Sequence, residues 1–243
     1  MSGARAWVGT SGWTYRDWRG PFYTAGLRQA SELEHYASVF RTAEINGSFY
    51  RLPSEAAVAG WRERTPGGFV FAWKVPRYLT HYRRLKDAAE SVELIYERMA
   101  GLGDKRGPAL FQLPPQLKRD DDRLAAFLPL LAERGRAVFE FRDASWYAPE
   151  VLDLLRAHDV ALCVSDHAAA PAPWLRTASF AYVRGHGPGG RYHGSYDDPQ
   201  LERWAAAVQA WRSEGLEVFS FFDNDIRAAA PADARRLRAL LDA

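Results

Sequence analysis

Eight short runs rich in β-branched and aromatic residues recur along the chain at near-regular intervals, and this recurrence is its strongest constraint on fold. They are AWVGT (6–10), RTAEIN (41–46), FVFAWKV (69–75), PALFQL (108–113), AVFEFR (137–142), ALCVSD (161–166), FAYVRGHG (180–187) and EVFSFFDN (217–224). Between most of them lies a helical pattern. Residues 31–40 open with a Ser31-x-x-Glu34 capping box and put Leu33, Tyr36, Ala37 and Phe40 on one face. Residues 87–103, 120–135, 148–159, 198–215 and 230–241 continue the series, with acids at several starts and glycine at several ends.

Strand–helix alternation over 243 residues predicts an α/β protein, and eight strands predict a single (β/α)8 TIM barrel spanning residues 1–243 with long aromatic-rich βα-loops. An open doubly wound sheet is the competing architecture. It would need edge strands, and none of the eight runs is short and charged in the way edges are.

Composition narrows the function classes. The formal net charge of +2 gives no global basic field, though a local basic groove stays open. The single cysteine, Cys163, sits in an apolar run, which excludes an intrachain disulfide and a thiolate metal cage. The opening MSGARAWVGTSGW has neither a long apolar core nor a small-residue cleavage pattern, and no stretch could span a bilayer, so a cytoplasmic protein without membrane contact is expected.

Within the strands, polarity comes last. Side chains alternate, so in VFEFRDASW (138–146) Val138, Glu140 and Arg142 share one face while Phe139 and Phe141 share the other. The same ending recurs as Glu44 and Asn46, Lys74, Gln112, Asp166, Arg184 and His186, then Asp223, Asn224 and Asp225. TIM barrels build their sites at the C-terminal ends of strands, so these residues are expected at a barrel mouth. A structural reading stands beside the functional one: Glu44 and Lys74, on adjacent strands, could simply neutralise each other.

The motifs VGTSGWTYRDWRGPFY (8–23), AEINGSFYRLP (43–53), FAWKVPRYLTH (71–81), ALFQLPP (109–115), VFEFRDASW, AYVRGHG (181–187) and VFSFFDND (218–225), in this order, resemble the YecE-like family, domain of unknown function 72. The likeness runs from about residue 7 to residue 240. It implies a TIM barrel similar to the endonuclease IV and xylose isomerase type, and brings no settled activity. Gly47 stands where the resemblance implies a small hydroxylated residue, and Asp223 where it implies asparagine.

Two functions are expected in alternative. In the first, the mouth is an enzyme site for a small anionic ligand, phosphorylated or carboxylated, with hydrolase or isomerase chemistry. Glu44, Lys74, Glu140 and His186 would serve proton transfer and charge stabilisation, and Arg142 and Arg184 would form an anion clamp. Asn46, Gln112 and Asn224 would orient the substrate, with Tyr50 and Trp146 contacting it. In the second, the barrel binds or processes nucleic acid, with Arg51, Arg77, Arg142 and Arg184 gripping phosphates and the loop aromatics Trp13, Tyr15, Trp18, Tyr23, Phe49, Tyr50, Tyr78, Tyr82, Trp146 and Tyr147 gripping bases. No cofactor is expected; one divalent metal on Asp166, His186 and Asp223 is the lesser alternative. The glycine-rich stretch 185–194 reads as a mobile loop or lid.

Overall fold

The computed structural model describes residues 4–242. Eight parallel strands form one sheet: β1 (Ala6–Thr10), β2 (Thr42–Ile45), β3 (Val70–Lys74), β4 (Arg106–Gln112), β5 (Ala137–Glu140), β6 (Ala161–Ser165), β7 (Phe180–Gly185) and β8 (Glu217–Phe222). Hydrogen bonding follows chain order from β2 to β8, and β8 then pairs with β1. The remaining seam, between β1 and β2, is closed by a bridge from Ser11 to Glu44, with Gly12 N–H donating to Glu44 O at 2.7 Å. Below it the Tyr36 hydroxyl does the work of a ladder rung, accepting from Thr10 N–H and donating to Thr42 O, both at 2.9 Å. Gly9 belongs to this seam: a Cβ there would lie 2.4 Å from Thr42 O, so any side chain would pry the strands apart.

Seven α-helices surround the sheet: α1 (Glu32–Val39), α2 (Glu55–Glu63), α3 (Ala89–Ala100), α4 (Asp121–Phe127), α5 (Pro149–Ala157), α6 (Asp198–Ser213) and α7 (Ala229–Asp242). Two differ from the sequence reading. Ser31 makes no side-chain cap; a 3-10 turn over Gln29–Ser31 leads into α1, and the box forms instead at α6, where Asp197 and Gln200 cap reciprocally. Helix α2 was not anticipated; it buries only Val58, and Ser54 caps it through Ala57 N–H. No helix joins β6 to β7. Pro171 and Pro173 there lack N–H donors and push their predecessors out of helical geometry.

The core has two parts, as strand alternation requires. Outward-facing Phe71, Phe111, Phe139 and Phe141 pack against the helices, while inward-facing Trp7, Ala72, Leu110, Val138, Cys163, Phe180, Tyr182, Phe219 and Phe221 fill the barrel. Val138 and Phe139 thus fall on opposite faces as expected. Inward rows turn polar on reaching the C-terminal end: Ala72 gives way to Lys74, Leu110 to Gln112, Val138 to Glu140, Cys163 to Ser165 and Tyr182 to Arg184. No helix is long and apolar enough to cross a membrane.

Candidate active site at the barrel mouth

Arg184 is the centre of the mouth, 1% exposed. Its guanidinium takes Glu44 side-on, with Nε to Oε2 at 3.0 Å and Nη2 to Oε1 at 2.8 Å. Nη1 reaches Glu140 Oε2 at 2.8 Å and Nη2 reaches Asp223 Oδ2 at 2.9 Å. One cation on β7 therefore holds carboxylates from β2, β5 and just beyond β8. Both glutamates receive further donors: Ser11 and Tyr182 hydroxyls donate to Glu44 at 2.6 Å each, and Gln112 Nε2 and Ser165 Oγ donate to Glu140 at 3.1 and 3.2 Å. Arg142 Nη2 adds an ion pair to Glu140 at 2.7 Å. Gln112 owes its place to register, since it lies opposite Glu140 in the β4–β5 ladder.

Burial by itself would raise both glutamates, but the adjacent cations prevail. Arg184 and Lys74 keep Glu44 below the usual carboxylate range, and Arg142 and Arg184 do the same for Glu140. Both are ionised acceptors and neither can give up a proton at neutral pH. The expected Glu44–Lys74 pair does not form. Among the described residues Lys74 lies within 4 Å of no carboxylate, because the stagger of the barrel delivers Glu44 across the lumen to Arg184.

Lys74 instead rests its ammonium on the Phe49 ring, 4.3 Å from the centroid, and is only 7% exposed. Burial, then repulsion by Arg184, brings its pKa down to about 8. His81 meets the same Phe49 ring edge-on and is held neutral, its pKa lowered to about 4 by burial and by Lys74 and Arg142. Arg142, 5% exposed, leaves its Nε and Nη1 without partners, and its guanidinium lies over Tyr192 at 5.8 Å.

His186 packs between these groups. Its Nε2 faces Arg142 Nη2 at 3.0 Å and Arg184 Nη1 at 3.1 Å, closer than the 3.4 Å to Glu140 and Asp223. With two guanidinium donors on it, Nε2 accepts, and the network assigns the ring proton to Nδ1, 3.3 Å from Asp166 Oδ1. This arrangement does not suit the metal considered on Asp166, His186 and Asp223, since the imidazole lone pair is already engaged by two cations. No cluster of three His, Cys, Asp or Glu set for a metal occurs among the described residues.

Asp225 is a different acid. Burial, then the neighbouring Asp223, pushes it up to about 9, so it carries a proton at neutral pH. Beside it the rim opens into a cavity of about 640 Å³ lined by Trp13, Tyr15, Asn46, Tyr50 and Trp61. Asn46 and Tyr50 therefore lie on the wall of this cavity, beside the charged centre, with Tyr50 64% exposed and Arg77 against its ring at 5.6 Å.

Two expected contact residues are placed elsewhere. Trp146 is fully buried, stacked on Phe141, with its indole N–H on Leu117 O at 2.7 Å; it fastens the β4 and β5 loops and offers no face to a ligand. Asn224 donates to Gly194 O at 2.7 Å and to Asp233 at 2.8 Å, tying the β7 loop to α7. In the glycine-rich stretch 185–194, residues 188, 189 and 191–194 are exposed, while Gly190 is buried. At Gly190 (φ +63°) a Cβ would fall 2.3 Å from Asp166 O, so glycine answers to close approach there. Ser11, Ser165 and Tyr182 were missed as site residues. Their signal was position: each lies on the inward row, Tyr182 two residues before Arg184 and Ser165 two after Cys163.

Comparison with known proteins accords with this barrel. The chain is 24% identical to UPF0759 protein YunF of Bacillus subtilis (strain 168), over 97% of its own length and 94% of that protein. It is 31% identical to UPF0759 protein YecE of Escherichia coli K12 over 58% of its length and 50% of that protein. A crystal structure of a DUF72 family protein from Thermotoga maritima MSB8 superposes with a TM-score of 0.88 at 27% identity, covering 98% of this chain and all of that one. D-psicose 3-epimerase from Clostridium cellulolyticum H10 shares the fold with a TM-score of 0.61 at 13% identity, covering 98% and 97% of the two chains. The family described as Protein of unknown function DUF72 matches residues 7–243, and the chain belongs to it.

Proposed function

We propose that the protein is a cytoplasmic enzyme that binds a small carboxylated or phosphorylated substrate at the C-terminal mouth and acts on it by proton transfer. The observation that carries this reading is Arg142, whose Nε and Nη1 have no partner while its Nη2 is held by Glu140 and His186. Buried guanidinium N–H groups with no acceptor are costly to leave empty, and an anionic oxygen satisfies them one at a time. Lys74, with no carboxylate partner, adds positive charge to the same mouth and can both hold and release a proton near neutral pH. Arg184 is already saturated by Glu44, Glu140 and Asp223, so its role is to fix the floor of the site and Arg142 alone serves as the clamp. Glu140 and His186 then orient Arg142, and Glu44 helps to hold Arg184 in the floor.

The test is thermal stabilisation of the wild-type protein and of Arg142→Gln by sugar phosphates, organic acids and short oligonucleotides. A ligand at 100 times its dissociation constant stabilises by about 2.7 kcal/mol, a readily measured shift. A small anion that protects wild type and not Arg142→Gln is the expected result. Protection by oligonucleotides alone, fading with salt, would replace this reading with the nucleic-acid one.

A further inference from the structure

We propose that Lys74 is an imine-forming nucleophile and that the substrate class is an anion bearing an aldehyde or ketone, of which a 2-oxo acid is the simplest form. This rests on the mouth being an anion site and names what the site does with the anion.

The chain has four lysines against 28 arginines. It writes a cation as arginine almost everywhere, including the saturated Arg184 and the clamp Arg142. The other lysines have visible duties or none. Lys105 donates to Arg62 O and Thr65 O at the end of α2, Lys118 pairs with Asp143 at 2.5 Å, and Lys86 is exposed. Lys74 is buried, unpaired and aimed at the mouth from the end of β3, where arginine would supply charge as well. What arginine cannot supply is a free amine, since a guanidinium does not deprotonate in proteins. Its lowered proton affinity agrees: at pH 7 about a tenth of Lys74 is free amine, against well under a hundredth of an ordinary lysine.

The chemistry needs no outside oxidant or reductant. The free-amine lone pair attacks the carbonyl carbon, forming C–N while the C=O π pair moves to oxygen. That oxygen takes up a proton as nitrogen loses one, giving a carbinolamine. The hydroxyl then takes a further proton and leaves as water, the nitrogen lone pair forms C=N, and loss of the remaining N–H proton returns the proton used. Lysine amine plus carbonyl thus equals imine plus water. Neutral His81, against the same Phe49 ring as Lys74, is a base for these transfers. Arg142 would hold an oxygen of the substrate's carboxylate on one of its unpartnered N–H groups.

The experiment is reductive trapping of the full chain with pyruvate or glyoxylate and cyanoborohydride at pH 7, read by intact mass and peptide mapping. The expected product with pyruvate is one adduct, the mass of pyruvic acid less one oxygen, at Lys74. It should form at least about tenfold faster than at Lys86, Lys105 or Lys118, given the larger free-amine fraction. It should be absent in Lys74→Arg and slowed in Arg142→Gln. If Lys74→Arg does not fold, the wild-type peptide map decides alone. Equal labelling of all four lysines would overturn the proposal, as would no labelling. In the latter case, thermal protection by acetate or phosphate that is lost in Arg142→Gln would leave the anion site standing; absence of both would remove the two readings together.

Discussion

Arg184→Met is the perturbation that bears most directly on the mouth. Methionine keeps much of the volume but strands Glu44, Glu140 and Asp223, which receive four short guanidinium contacts of 2.8–3.0 Å from Arg184. Removing one partner of a buried ion pair costs about 3–5 kcal/mol. Three carboxylates lose a partner here, but Arg142 still holds Glu140 and two hydroxyls still hold Glu44, so the loss should fall near ~4 kcal/mol. At this chain length that is a fall in Tm of roughly 8–16 °C. Its pH dependence is the sharper signature. In the wild type the two glutamates are held low, so their contribution is complete above the unfolded value of about 4.3 and is lost only as pH falls through the folded values. In Arg184→Met, Arg142 still holds Glu140 low, but burial prevails at Glu44 and raises it, so the folded variant binds more protons than the unfolded chain and recovers stability as pH falls toward ~5. Urea unfolding at several pH values gives both curves. A deficit below ~1 kcal/mol, or one that stays constant with pH, would refute the reasoning that Arg184 is the electrostatic keystone.

Lys74, depressed to about 8, costs stability while it is charged in the fold, so wild-type stability should rise between pH 8 and 9.5 relative to Lys74→Met, by up to ~2 kcal/mol. Because Arg184, Glu44, Glu140 and Asp223 face the amine in both proteins, the difference curve isolates it. Asp225→Asn should raise the urea midpoint at pH 7 by removing a carboxyl that burial and Asp223 hold protonated up to about 9, with the gain growing as pH rises and vanishing below the unfolded value near ~4. Trp146→Phe should lower stability by about 1–3 kcal/mol through the lost bond to Leu117 O and the reduced stack, yet leave thermal protection by anions unchanged. Cys163, fully buried with its thiol pushed well above the usual range, should resist a thiol reagent until the protein unfolds.

The barrel was legible because its signal is repeated eight times. Each strand core and the polar turn after it state the same alternation, and a one-residue error at an end, as at β2 or β3, changes nothing. Helix α2 was passed over because its stretch EAAVAGWRE is short, made mostly of small alanines and interrupted by Gly60, a poor helix former, with only Val58 buried. Trp146 misled for a related reason. An aromatic after a strand can face the mouth or the helix layer, and only the fold of the loop around Leu117 decides. The inward residues Ser11, Ser165 and Tyr182 follow from strand parity alone, once the inward face is fixed by Arg184 and Glu140.

Pairing across the mouth was the part that strand adjacency could not give. Neighbouring strands suggested Glu44 with Lys74, yet in a sheared eight-stranded barrel residues at one height come from strands distant in order, and the lumen is narrow enough for a long side chain to cross it. Arginine, with five donors in a rigid planar fork, meets three carboxylates from three strands with four contacts at once, whereas lysine has three donors on a single nitrogen. Once Arg184 occupies the centre, the acids are spoken for and Lys74 is left without a counterion. Desolvation then lowers its proton affinity toward neutrality. A saturated arginine beneath an unpaired lysine is therefore one arrangement with two consequences: the first makes the floor rigid, and the second makes the amine above it available for chemistry.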